Sequence, residues 1–466
     1  MPSIKNGADV IIVGSGFAGL AAAIEAAEAG ASVMVLEKMR AVGGNSTISD
    51  GCMAAPGTEE QIAAGIEDSP ELMYEDMIKA GEGLNYPELV RTVTGGAKKA
   101  FLWSKEYLGV EYLDRIDLFG GHSVARCYTS KSVSGSDLVK KQLARLKDLK
   151  VPVYTSVYVN QFLADSRSFI GGVKINEDYQ YKTETAGFEK ELLASQAVIV
   201  ASGGFGSDIF FRRAQDPRLD NSISSTTKPY STAEIIKECL AIGANPVQLS
   251  RIQLFPWTSP EEKGFGAGPG FSDYVVLPYG LIIDPKSGNR FINELSNRKE
   301  TAEAFLKLGH PVIGIADEKG VLSANWDLSR ALNKGIVRAF SSLEDLARHY
   351  DIDIQSLKNS VDRFNDMIEK GRDDDFNKPL LKGSSPVINP PFYAIKMWPK
   401  VHYTMGGIQI DVSGRVIDRN QRPIKGLFAA GEVTGGIHGA CRLGSCAITE
   451  CLVMGRIAGK NAAGAK

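Results

Sequence analysis

Apolar residues follow two rhythms along this chain. The runs "DVIIV" (9–13), "VMVLE" (33–37), "AVIVA" (197–201) and "GLFAA" (426–430) are short, continuous and bounded by glycine or charge, as strands buried on both faces are. Between the first two, "FAGLAAAIEAAEAG" repeats apolar residues at helical spacing, so this region reads strand, tight turn, helix, strand. From 248 to 396 the alternation lapses. There Leu357, Val361, Phe364 and Ile368 form one stripe of a helix that Gly371 stops, and Asp373 to Asp375 read as a solvated turn. The lapse divides the chain into 1–247, 248–396 and 397–466. With no internal repeat and no low-complexity linker, the parts are expected to pack directly and to hold a site in their crevice.

The first turn carries Gly14, Gly16 and Gly19 in a GxGxxG pattern, with Phe17 and Ala18 between them. The first glycine allows the turn, the second lets backbone approach a pyrophosphate, and the third lets the helix lie close on the sheet. An anion then meets the positive end of the helix. Glu37, followed by Lys38, closes the second strand where an acidic side chain accepts hydrogen bonds from a ribose, which points to a dinucleotide. Two further glycine-rich stretches separate FAD from NAD. "RAVGGNSTISDG" brings Gly43, Gly44, Asn45, Ser46 and Gly51, and "AVIVASGGFG" ends in Ala201, Ser202 and Gly203. A third, "KGLFAAGEVTGG", contains Glu432. Repeated strand-to-glycine turns of this kind are how large flavoproteins wrap an extended FAD.

Composition narrows the partners. In 466 residues, 53 Lys and Arg nearly cancel 55 Asp and Glu, which signals neither nucleic acid nor an attractive membrane surface. No stretch is long and apolar enough to span a bilayer. The 6 cysteines are too few for a disulfide framework, and Cys441, Cys446 and Cys451 have poor spacing for one metal, so no metal is expected. Glycines interrupt the first apolar run, which therefore does not read as a signal peptide. The chain as written reads as cytoplasmic, and a leader removed beforehand would make it periplasmic.

Six motifs in order, GSGFAGL, GGNS, ASGGFG, RFINELSNR, HYTMGGI and GEVTGGIHGACRLGS, resemble the fumarate reductase and succinate dehydrogenase flavoprotein family over essentially the whole length. The nearest resemblance is to flavocytochrome c-type enoate reductases acting on urocanate or aryl-acrylates. It implies an α/β fold: a discontinuous Rossmann-like FAD-binding domain made of both chain ends, with an inserted α+β clamp domain. It further implies that flavin N5 passes hydride to one carbon of an electron-poor double bond while Arg298 protonates its neighbour. Arg442 and His402 then bind the substrate carboxylate, a task for which a planar guanidinium suits. Glu432 meets the flavin's sugar-alcohol chain. A helix beginning after Ser445, with Ala447 and Ile448 in its first turn, faces the flavin pyrimidine. "GGNSTISDG" lacks the histidine that links FAD covalently in some members, so the FAD is expected to be non-covalent. His438 matches a motif without a role, and Arg290 reads as a paired structural arginine.

Three departures shape the expected substrate. Where the family has a histidine for a second carboxylate, "IQLFPWTS" has Phe255, and a carboxylate buried there would be left unpaired at a cost of about 1–3 kcal/mol or more. Fumarate is therefore expected to be poor. Phe255 and Trp257, with Tyr230 and Tyr274, offer flat apolar area for a ring-bearing monocarboxylate such as urocanate or a cinnamate. Asp273 either reads a ring N–H or is a plain loop aspartate. The positions matching the family's proton relay hold Tyr274 and Leu277, which leaves open whether that relay is intact, and His122, Ser123 and Arg126 are candidates for the pocket's far side. With no haem, iron–sulfur or second dinucleotide motif, electrons are expected from a separate cytochrome, flavin domain or reduced carrier. The rival readings are a fumarate reductase, a flavin dehydrogenase acting on a ketosteroid, and a non-catalytic electron-transfer subunit.

Overall fold

A computed structural model describes residues 4–166, 168–181, 183 and 187–465. β1 (Gly7–Val13), α1 (Phe17–Glu28) and β2 (Val33–Glu37) form the predicted strand–turn–helix–strand unit, and β1 pairs parallel to β2. The main sheet continues on both sides. Parallel strands run in the order Pro423–Ala429, Glu189–Val200, β1, β2 and Val153–Thr155. An antiparallel extension, Tyr158–Ala164 with Ile170–Asn176, hangs on the long strand Glu189–Val200. Residues from both chain ends thus share one sheet, and strands with Val10, Ile11, Ile12, Val198 and Ile199 wholly buried explain the uninterrupted apolar runs.

The ends are also locked helix to helix. The C-terminal helix Cys446–Ala462 packs on α1 so closely that a Cβ on Gly455 would lie 2.5 Å from the Ala18 carbonyl oxygen, and one on Gly459 2.2 Å from that of Ala22. Only glycine fits at either position.

Residues 281–397 build a second sheet, fully antiparallel, in the order Leu281–Ile283, Val312–Asp317, Phe392–Met397, Val337–Phe340. Helix Ile354–Lys370 lays Leu357, Val361 and Phe364 on it, and Gly371 closes it with φ 73. Between the two sheets, Ile252–Phe255 pairs antiparallel with Lys400–Thr404. Asp373 departs from the solvated-turn expectation. It is buried and accepts from Arg290 Nη2 at 2.6 Å, while Arg290 also grips Glu294 at 2.8 Å through both Nε and Nη2. Arg290 is paired as expected, but inside the protein. No described helix is long and apolar enough to cross a membrane.

Candidate active site

Two cavities of about 960 and 900 Å³ share Phe17, Asn45, Ser46, Glu432 and Cys451 and form one continuous cleft. The first arm follows the glycine turns. Gly14 has φ +109, and a Cβ there would lie 2.3 Å from the Ala201 carbonyl oxygen. Gly19 sits behind it, where a Cβ would come within 2.1 Å of the Gly14 oxygen, which is the close helix–strand contact expected of the third glycine. Gly16 caps α1 without any side-chain hydrogen bond, so the helix offers its first-turn N–H groups to the cleft, Phe17 N donating to Ser46 Oγ at 3.0 Å. Glu37 is buried at the far wall, accepting from Ser15 Oγ at 2.5 Å and Met39 N at 2.9 Å. Lys38 turns to Thr232 and Glu234, at 2.9 and 3.4 Å. Ala18, Gly44, Ala201, Ser202 and Gly203 complete this arm, and nothing lies within 4 Å of the position a Gly203 Cβ would take.

Gly43 and Gly51 do not line the cleft. Gly43 N donates to Ser15 Oγ at 2.8 Å, and Gly51 packs against Ser130, so both shape the loop from behind. Where the arms meet, Glu432 Oε1 accepts from Thr404 N at 3.0 Å, and burial raises its carboxyl to about 7. Ser445 caps the C-terminal helix in a left-handed conformation, φ 66, with its hydroxyl on Cys52 Sγ at 3.0 Å instead of on the helix. The first turn, with Ala447 and Ile448 on the cavity wall, therefore keeps uncapped N–H groups. A cleft with helix N-termini at both arms and glycines where side chains would obstruct fits an extended anionic dinucleotide such as FAD.

The second arm gathers Arg298, His402, Arg442, Phe255 and Asp273. His402 arrives there by a slip in strand pairing. Gln253 faces Tyr403 and Leu254 faces Val401, so His402 is the extra residue of a bulge, and a bulge re-aims its side chain. Thr226 Oγ1 stands 2.8 Å from its Nδ1. Burial, then Arg298 and Arg442, depress the imidazole well below its usual range, so it is neutral. Arg442 is buried, its backbone N–H donates to Gln253 Oε1 at 2.7 Å, and its guanidinium lies over the Tyr403 ring at 4.8 Å. Arg298 opens helix Arg298–Leu308, where the helix dipole disfavours a cation, and rests over the Phe255 ring at 4.6 Å. Burial and the neighbouring Arg442 lower it to about 10.

Neither guanidinium has a carboxylate at ion-pair distance among the described residues, and Arg298 Nη1 and Arg442 Nε are buried without a partner. Glu294, a conceivable mate for Arg298, is held by Arg290 and Lys378 instead. Asp273 stands on the same cavity wall, in a wide helical turn Ser272–Val276, and burial raises its carboxyl to about 7. Such π turns often mark functional sites.

Several sequence expectations move. Trp257 stands behind Phe255, rings edge to face at 5.4 Å, and does not line the cavity. Tyr230 lines the glycine arm, and Tyr274 stacks on Trp326 at 3.9 Å, away from the inner cavity. Leu277 is core. His122 and Arg126 are buried supports: Arg126 pairs with Asp68 and Asp76, and His122 Nε2 meets the Gly444 oxygen at 2.9 Å, bracing the loop that carries Arg442. Ser123 joins them on Asp76. His438 is buried, and burial lowers it to about 3. Residues the sequence did not single out are Thr226, Gln253, Asp50 and Phe265. Only Phe265 left a trace, its two flanking glycines.

Comparison with known proteins identifies the family. Residues 9–448 match the FAD binding domain family. The chain is 38% identical to the acrylate reductase flavoprotein subunit of Shewanella woodyi, across 97% of this chain and 90% of that protein. It is 34% identical to the urocanate reductase of Eggerthella lenta, across 98% and 74%. A solved flavocytochrome c3 fumarate reductase in an open conformation superposes with TM-score 0.77 at 29% identity, covering 99% of this chain and 78% of that one. A 3-ketosteroid dehydrogenase from Rhodococcus jostii superposes with TM-score 0.78 at 22% identity, a likeness of fold alone. The chain belongs to this FAD-binding family of flavoprotein reductases and is an FAD-dependent oxidoreductase acting on carbon–carbon double bonds.

Proposed function

We propose that the protein reduces the double bond of an α,β-unsaturated monocarboxylate whose β-substituent is uncharged. The observation that carries this reading is the pair of buried, carboxylate-free guanidiniums, Arg298 and Arg442, converging with neutral His402 on one cavity walled by Phe255. Arg442 presents its fork to the substrate carboxylate. His402, whose Nδ1 is engaged by Thr226 Oγ1 at 2.8 Å, turns Nε2 to the same group. These donors stabilise the enolate-like charge that grows as the double bond is reduced. FAD held by the glycine arm would supply hydride chemistry to the β-carbon of a substrate anchored this way.

Arg298 gives a proton to the α-carbon, a role that its lowered affinity for that proton assists. Asp273 then returns a proton to Arg298. It borders a second, outer cavity of about 1590 Å³ as well as the inner one, so it can be refilled from solvent. Phe255 stands where a second substrate carboxylate would need a donor, which disfavours fumarate. The electrons reach FAD from a separate donor protein or carrier. Of the expected aromatic platform only Phe255 lines the inner cavity, and Phe265, 5.5 Å from it, adds a ring that the sequence did not single out.

The test is an anaerobic panel of acceptors, namely acrylate, cinnamate, urocanate, fumarate and a ketosteroid, each offered to dithionite-reduced holoenzyme. Monocarboxylic enoates are expected to reoxidise the flavin fastest, with fumarate at least tenfold behind and the ketosteroid inert. Fumarate leading the series would refute the role given to Phe255. Arg298→Ala is expected to retain the yellow chromophore and lose turnover by a factor of about 10²–10⁴.

A further inference from the structure

We infer that Phe265 is the aperture residue that sets how large a β-substituent the substrate can carry. This rests on the enoate reading above and names a specificity determinant within it. The inner cavity and the outer one share Phe265 on their dividing wall, so its ring is part of the partition between the reaction site and the solvent-filled space. Two aromatic rings cover His402 on that side. Phe255 is 4.8 Å away and Phe265 6.0 Å away, centroid to centroid, and they are 5.5 Å from one another. Their surroundings differ. Phe255 is only 1% exposed and Trp257 backs it, so it has nowhere to go. Phe265 is partly exposed and has the outer cavity beside it.

The loop that presents Phe265 is built for this placement. Gly264 and Gly266 flank it with φ +64 and +80, conformations that side-chain-bearing residues rarely adopt. The base of the loop is fixed. Glu262 accepts from Ala267 N at 2.7 Å and Gly268 N at 2.8 Å, and Lys400 Nζ donates to the Gly264 oxygen at 3.1 Å. A pinned base with two left-handed glycines around one aromatic residue directs that ring inward, where it packs on the margin of the core beside Phe255 and stays partly exposed. Removing the ring would join the inner cavity to the outer one. A small enoate gains nothing from that space, whereas an aryl enoate gains room for its ring. Discrimination by apolar space alone reaches about 10–200-fold.

The experiment compares Phe265→Ala, Phe265→Trp and wild type as holoenzymes of equal flavin content, which excludes misfolding as an explanation. The first readout is the ratio of kcat/KM for cinnamate to that for acrylate. The second is the ratio of affinities of oxidised holoenzyme for 3-phenylpropionate and propionate, measured by calorimetry. Phe265→Ala is expected to raise both ratios tenfold or more, and Phe265→Trp to lower both. Ratios within twofold of wild type in both variants would overturn the inference. A wild-type enzyme that reduced no enoate would instead overturn the functional reading, and the affinity ratio would still decide on Phe265.

Discussion

Asp273, which the sequence left open between reading a ring N–H and being a plain loop aspartate, stands on the wall of the cavity that holds Arg298. The family resemblance puts the proton relay of this segment on Tyr274 and Leu277. The turn Ser272–Val276 is wound wider than an α-helix, which shifts every face after it, and Asp273 looks into the cavity while Tyr274 stacks on Trp326. No spacing rule announces a π turn, whereas Arg298, Arg442 and Glu432 were legible because their motifs name them directly. If Asp273 recharges Arg298, its protonated form is the working one. Burial raises that carboxyl to about 7, so turnover is expected to fall as pH climbs through about 7. Asp273→Asn is expected to lower kcat by roughly 10²-fold and to abolish that descending limb while flavin content stays unchanged. Steady-state kinetics from pH 5.5 to 9 decide it, and a variant that kept the wild-type midpoint would place the proton source elsewhere.

At the scale of elements, the site is assembled from features that are irregular within their own element. His402 is the odd residue of a bulged strand, Arg298 the first residue of a helix, and Ser445 a left-handed cap. The regular parts, β1, α1, β2 and the helix Ile354–Lys370, followed from apolar periodicity alone, because burial on a sheet or a helix stripe imposes that period. The pairing of Arg290 before Arg298 was legible, but its burial and its further partners Asp373 and Lys378 were not, since these come from a distant stretch. Glu294 takes two bonds from Arg290 and one from Ile282 N, while Lys378 Nζ stands 3.5 Å from it and donates to the Gly280 oxygen. Removing one member leaves buried cations uncompensated. Glu294→Ala is therefore expected to cost about 3–5 kcal/mol in denaturant unfolding. It should also depress kcat, because Arg298 lies on the chain just beyond. Wild-type stability would localise the anchoring of that helix elsewhere.

Across the whole molecule, one sheet and one helix pair draw both chain ends together, and the cleft runs along their junction. The family resemblance implied that both chain ends build one domain, but it did not show the contact that closes it, Gly455 and Gly459 meeting α1 backbone. The same junction buries Glu450 on the C-terminal helix, where its carboxylate accepts from Gly431 N at 3.1 Å and Tyr403 Oη at 3.4 Å. Burial, with Glu432 adding repulsion, raises Glu450 from an ordinary 4.5 to about 8. The folded state then binds a proton that the unfolded chain releases between those values. Its stabilising contribution is complete below about pH 4.5 and is lost as pH rises through about 8. Glu432 and Asp273, each raised to about 7 by burial, act in the same direction. Glu450→Gln imitates the protonated side chain at every pH. The variant is expected to lose about 3–4 kcal/mol less stability than wild type between pH 5 and 8, since each pKa unit corresponds to about 1.4 kcal/mol. Urea unfolding of the two proteins at both pH values measures the difference. Parallel slopes would mean that the proton does not reside on Glu450, and that the junction of the chain ends carries its charge unprotonated.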